Sequence, residues 1–181
     1  MVGWNEAYTP EKGDAEAEGV VAMLHDSAVH SATGREVSAV LVAFTRLRRE
    51  NDLLIAAIAR DHGLHASDFR AVAFVRQTPG ATPRSLAEYL ALSMSATTAM
   101  IDRLVASGYV VRSPNPEDGR SFRLEVTDDG SAAVDDAVEL YNAAFDLCLP
   151  ADRRDEVTAT FLELSDALAA VAADRPAPAH V

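Results

Sequence analysis

The sequence predicts a mostly α-helical chain interrupted once by a small β-hairpin, and three observations lead there. Apolar residues recur every three or four positions over most of residues 35–108 and again over 128–173. Between those regions "YVVR" and "SFRLEV" alternate with period two, and they flank "SPNPEDG", which is rich in turn-forming residues. Near the C-terminus two successive apolar seams keep a spacing of four and three, the pattern of long helices packed side by side.

Taken in order, the first 32 residues mix Gly, Pro, Glu and Ala around the short patch "VVAML", which predicts an acidic arm with at most one short helix around Ala15 to Ser27. After Gly34 a long helix is expected from Val37, Val40, Leu41, Phe44, Leu47, Leu54, Ile55 and Ile58, ending near "DHG". A second helix is expected from Ser67, as its N-cap, to Gln77, stopping at "TPG". "TPRSLAEYLAL" and "SMSATTAMIDRLVASG" then read as two short helices with a turn around Leu92 and Ser93, the second capped by Gly108. The hairpin follows, and helices resume at Asp128. Val134, Val138, Tyr141, Phe145 and Cys148 line one of the two seams; Val157, Phe161, Leu164, Leu168 and Val171 line the other, and Pro150 separates them. Seams that so small a chain cannot fill itself are filled most cheaply by a second copy. The expected division is an arm over 1–32, a dimerisation helix and loop over 35–66, a central module over 67–127, dimerisation helices over 128–173 and a disordered tail over 174–181.

Charge is unevenly spread. The net charge is -12. Residues 1–31 hold six acids against Lys12, and residues 125–181 hold thirteen acids against three arginines. Residues 32–124 instead hold twelve arginines against nine acids, so the middle is mildly basic between acidic ends. No run of about 18 apolar residues suggests a membrane span, and the N-terminus has neither a basic start nor an apolar signal core, so a cytoplasmic protein is expected. Cys148, the one cysteine, excludes an internal disulfide and a cysteine zinc site; its place on an apolar seam predicts a buried, inert thiol. No Gly-rich phosphate loop, Ser-His-Asp order or metalloprotease helix is present, so no enzyme is expected.

Two short helices joined by a tight turn and followed directly by a hairpin is the order of a winged helix-turn-helix, in which the second helix enters the DNA major groove. The residues from Leu86 to Gly130 go further. Leu86-Ala87, the Ile101 to Leu104 run "IDRL", Gly108, Asp118-Gly119-Arg120, and Val126-Thr127 with Gly130 resemble, in register, the DNA-binding module of the MarR (multiple antibiotic resistance regulator) family. The flanking helices match the family's layout as well, so the resemblance covers roughly residues 35 to 173. It implies a homodimer that binds double-stranded DNA as a repressor released by a small ligand, often an aromatic acid or phenol, with no cofactor.

Individual residues take roles accordingly. Arg120 at the hairpin tip suits a narrow minor groove, and Asp118 suits pairing with a basic neighbour to hold the loop. Arg112 and Arg123, on the strands, are candidates for phosphate contacts. Ser93 caps the recognition helix, and Met94, Ser95, Thr98 and Ala99 form its expected reading face, with Thr97, Ile101 and Leu104 turned inward. That face lacks Arg, Lys, Asn and Gln, so readout rests on hydroxyls and apolar contact with thymine methyls. Arg84 and Arg103 fit phosphates better than bases; Arg103 fits equally an ion pair with Asp102 or Asp118. By position in the family fold, a ligand would meet His62, His65, Phe69, Arg70 and Tyr141. Two alternatives stand beside this: a metal-responsive regulator using His62 and His65, and a winged-helix adaptor that binds only protein.

Overall fold

The structure is a computed structural model that describes residues 39–116 and 121–174. The expected N-terminal arm, the hairpin tip with Asp118 and Arg120, and the end of the tail lie outside the described residues. Helix α1 runs over Ala39–Asp61, α2 over Ala66–Gln77, α3 over Pro83–Leu90 and α4 over Met94–Ala106. Strands β1 (Val110–Pro114) and β2 (Phe122–Val126) form the hairpin; α5 (Asp128–Cys148), a 3-10 turn (Ala151–Arg153) and α6 (Arg154–Ala173) complete the chain. The fold is thus mostly helical with one antiparallel hairpin, in which Val110 faces Val126 and Arg112 faces Leu124. Among the described residues no helix is long and apolar enough to cross a membrane.

One boundary differs from expectation. Ser67 does not cap α2; His65 occupies the N-cap with an extended backbone and no side-chain cap bond, and its carbonyl already accepts from Phe69 N at 2.9 Å. Starting two residues earlier buries both Asp68 and Phe69, which outweighs the cap that Ser67 would supply.

The pair α3–α4 is built from local signals. Thr82 caps α3 reciprocally with Ser85: Ser85 N donates to Thr82 Oγ1 at 3.2 Å and Thr82 N to Ser85 Oγ at 2.9 Å, with Pro83 in the first turn. The helix ends where Leu92 N donates to Ala87 O at 3.0 Å and Ala91 N to Glu88 O at 3.3 Å, which needs a left-handed residue at Ala91, φ 53°. Ser93 then caps α4 by accepting from Ala96 N at 3.3 Å. An alanine in the left-handed region carries a cost of about 1–2 kcal/mol that glycine lacks. Ala91→Gly is therefore expected to raise stability by about 0.5–1 kcal/mol after the extra freedom glycine gives the unfolded chain. Thermal unfolding checks this, with a rise of roughly 2–4 °C per kcal/mol for a chain of this size; a fall would mean that the turn does not strain Ala91.

The same bonding pattern closes α4. Tyr109 N reaches Leu104 O at 3.0 Å and Gly108 N reaches Val105 O at 3.1 Å, with Gly108 at φ +80°. Thr127 then joins three elements: its Oγ1 donates to Gly108 O at 2.6 Å and accepts from Gly130 N at 3.1 Å, so it caps α5 while holding the end of α4.

Two cores result. The larger gathers Val72 and Val75 from α2, Leu86 from α3, Met100, Ile101 and Leu104 from α4, Val110 and Leu124 from the hairpin, and Val134 from α5. The smaller joins Ile58 and Ala59 of α1 to Phe69, Ala133 and Ala137. Beyond Ala137 the chain buries little against itself. Val138, Leu140, Phe145 and Leu147 are exposed, Cys148 is exposed rather than buried, and α6 has no buried residue.

Candidate nucleic-acid interface

Helix α4 turns Thr97, Met100, Ile101 and Leu104 into the core and leaves Met94, Ser95, Thr98 and Ala99 exposed. The hydroxyls on that face are partly committed. Thr98 Oγ1 donates to Met94 O at 2.9 Å, and Ser93 and Ser95 share a hydrogen at 3.1 Å. What the face offers outward is acceptor lone pairs, methyl groups and the Met94 thioether, not a fork of donors.

The described arginines around it are held by the chain's own side chains. Arg84 lies within the first turn of α3, and its Nε donates to Glu88 at 3.0 Å. Arg112 pairs with Asp102 and stands over the Phe122 ring, 4.8 Å from its centroid. Arg123 Nε donates to Asn115 Oδ1 at 3.1 Å, bracing the hairpin. Arg103 does not pair with Asp102, whose partner is Arg112, and Asp118 lies outside the described residues. Arg103 bonds Asp68 of α2, Nη2 to Oδ1 at 2.8 Å and Nε to Oδ2 at 3.4 Å, because α4 crosses α2 and places its outer edge over that carboxylate. Asp68 raises the Arg103 pKa, first by the hydrogen bond and then by its charge. Neither Asp68 nor the bond was legible in the sequence, where the partners stand 35 residues apart.

The five residues expected around a ligand do not gather at one point, although Arg70 and Tyr141 lie near each other. Phe69 is buried in the smaller core, and His65 is exposed at the start of α2. Arg70 pairs with Asp52, and Tyr141 donates its hydroxyl to Asn51 Oδ1 at 2.7 Å, where burial pushes its phenol pKa up. His62 lines an open cleft of about 470 Å³ between α1 and α5 with Ile58, Asp61, Asp136, Glu139 and Leu140, which the other four do not line. His62 Nε2 is 3.1 Å from Asp136 Oδ2, while its carbonyl accepts the Tyr109 hydroxyl at 2.6 Å. The cleft was readable as two matching helical faces, 58, 61 and 62 against 136, 139, 140 and 143, once α1 and α5 were known to pack together. Among the described residues no three His, Cys, Asp or Glu side chains are placed to hold a metal.

Comparison with known proteins agrees with this arrangement. A family model described as MarR family matches residues 62–121. The chain is 30% identical over 94 residues to the multiple antibiotic resistance protein MarR of Escherichia coli strain K12, a match covering 52% of this chain and 65% of that protein, so it spans just under two thirds of that relative's length. The solved reduced form of MarR from E. coli superposes with a TM-score of 0.57 at 25% identity, over 72% of this chain and 98% of that one. A MarR transcriptional regulator from Methanosarcina mazei Go1 gives 0.55 at 25% identity, over 70% and 94%. With the helix-turn-helix, hairpin and flanking helices in the same order, this chain shares the winged-helix fold of these MarR proteins, and its residues 62–121 are similar to the MarR family.

Proposed function

We propose that the chain is a sequence-specific regulator of transcription that binds double-stranded DNA as a homodimer and represses until a small ligand releases it. The observation that carries this reading is the first two turns of α4. Their outer face, Met94, Ser95, Thr98 and Ala99, is left uncovered beside Arg84 and the hairpin, which is where a major groove would be read. The pairs Arg84–Glu88 and Arg112–Asp102 involve solvent-exposed acids, so exchanging those acids for phosphates costs little. A two-fold dimer built on α1, α5 and α6 would place its half-sites about one helical turn apart, on an imperfect palindrome. Methyl-rich readout favours A·T-rich half-sites, and Arg120 favours A·T-rich flanks with a narrow minor groove.

The effector fits the cleft at His62. Asp61, Asp136 and Glu139 surround it, so an uncharged phenol suits it better than an aromatic acid, whose carboxylate they would repel. His62 meets α5 through its ring and Tyr109, just past the recognition helix, through its carbonyl. A ligand that shifts His62 therefore biases the angle between dimer helices and DNA-binding module.

Selection from random duplexes, followed by a salt series on the selected and a scrambled site, tests the reading. The expected result is a palindromic site bound more tightly than scrambled DNA, with affinity falling as salt rises. Arg120→Ala should weaken all duplexes alike and lower the salt slope by about one unit. Equal affinity for both duplexes at every salt concentration would instead support the protein-binding adaptor.

A further inference from the structure

Among the described residues Asp68 differs from the other acids that pair with an arginine near α4. It is 4% exposed, whereas Glu88 and Asp102 are largely in solvent. Its two oxygens take the Nε and Nη2 edge of Arg103, and no buried side-chain polar atom among the described residues is left without a partner. Were Arg103 to swing away to a phosphate, it would strand a buried carboxylate, and the arginine therefore stays. Its side chain is still 53% exposed, one turn beyond Ala99 on the same side of α4, and Nη1 takes no part in the bond to Asp68.

We infer that Asp68 is a positioning residue for DNA binding: it fixes Arg103 at the edge of the reading face so that the Nη1 side donates to one backbone phosphate. This rests on the DNA-binding reading above. An arginine held by a rigid carboxylate loses little side-chain freedom when it meets a phosphate, and the same clamp fixes how α4 is seated on α2.

The test compares the full chain with two variants on the selected duplex across a salt series, with thermal unfolding as the folding control. Asp68→Asn keeps the size of the side chain and removes the charge that holds Arg103. Its affinity should fall about tenfold and its salt slope by up to one unit, as the loosened arginine gives up its phosphate. The double variant Asp68→Leu/Arg103→Met replaces the pair with apolar groups, keeps the helix contact, and should lose the same slope. It carries the test by itself if Asp68→Asn does not fold. Tighter binding with a steeper slope in Asp68→Asn would show that Asp68 restrains Arg103 instead of positioning it, and would overturn the inference. So would a folded double variant with the affinity and slope of the parent, since a merely structural pair would leave both unmoved. Failure of the DNA-binding reading is separate, because it would appear in the parent chain as no preference for the selected duplex.

Discussion

Phe161→Glu is expected to convert the proposed dimer into monomers at micromolar concentration and to unwind most of α6. The helix has twenty residues, none of them buried, and among the described residues it packs extensively on no other helix. Phe161 is 50% exposed, Val171 66%, and Leu147 near the end of α5 90%. A lone helix of that length is marginal in water, so what keeps it formed is the surface that its apolar face meets. Apolar patches of this extent on a soluble chain mark an interface. A buried aromatic anchor contributes about 2 kcal/mol or more, and a two-fold interface contains it twice. The dimer should therefore weaken by about 4 kcal/mol, roughly a thousandfold. Sedimentation at several concentrations reads the first effect and far-ultraviolet circular dichroism the second. A variant that stays dimeric and fully helical would remove this face from the interface.

The sequence carried this fold where order is local. Period-three-to-four spacing located α1 through α6, period-two spacing located the hairpin, and Gly108 marked a helix end because its bonding pattern needs φ > 0. It carried less wherever a decision depends on a distant surface. Ser67 looked like a cap, yet burial of Phe69 moved the start of α2; Arg103 fitted a phosphate or an ion pair with Asp102 or Asp118 equally, and the crossing of α2 and α4 gave it Asp68, which neither reading named. The ligand candidates suffered most. His62, Arg70 and Tyr141 lie on elements that do meet, but a helical face covers about a hundred degrees, and a residue one position off points to another neighbour. Thus Tyr141 faces Asn51 while Glu139 and Leu140 reach the cleft. The two apolar seams near the C-terminus were legible as seams, but only the first turns of α5 fill a core of this chain, so Val138 and Phe145 await another surface.

Gly130→Ala should destabilise the protein although it removes a glycine from a helix. Helix propensity alone favours alanine by up to about 1 kcal/mol, and a solvent-facing site would show that gain. Here a Cβ on residue 130 would stand 2.3 Å from the Tyr109 carbonyl oxygen and 2.6 Å from Val126 Cγ2. The Val126 methyl can turn aside, but the carbonyl cannot: it accepts from Thr127 N at 3.1 Å, and the Tyr109 amide is fixed by the cap on α4. The strain must be relieved by moving the start of α5, which breaks the bond from Gly130 N to Thr127 Oγ1 and loosens the Thr127 hold on Gly108. Such overpacking costs about 1–3 kcal/mol, more than the propensity gain, so the net sign is a loss. The functional consequence follows from length. Helix α5 has 21 residues and so spans about 30 Å, which means a small tilt at its first turn displaces its far end by ångströms. If α5 sets the distance between the two DNA-binding modules of a dimer, that tilt misplaces the half-sites, and affinity for the palindromic site should fall more than affinity for an isolated half-site. Thermal unfolding and binding to duplexes with one or two half-sites measure the two effects. A variant as stable as the parent would mean that the Tyr109 carbonyl yields and α5 does not, and the preference for two half-sites would then be unchanged as well.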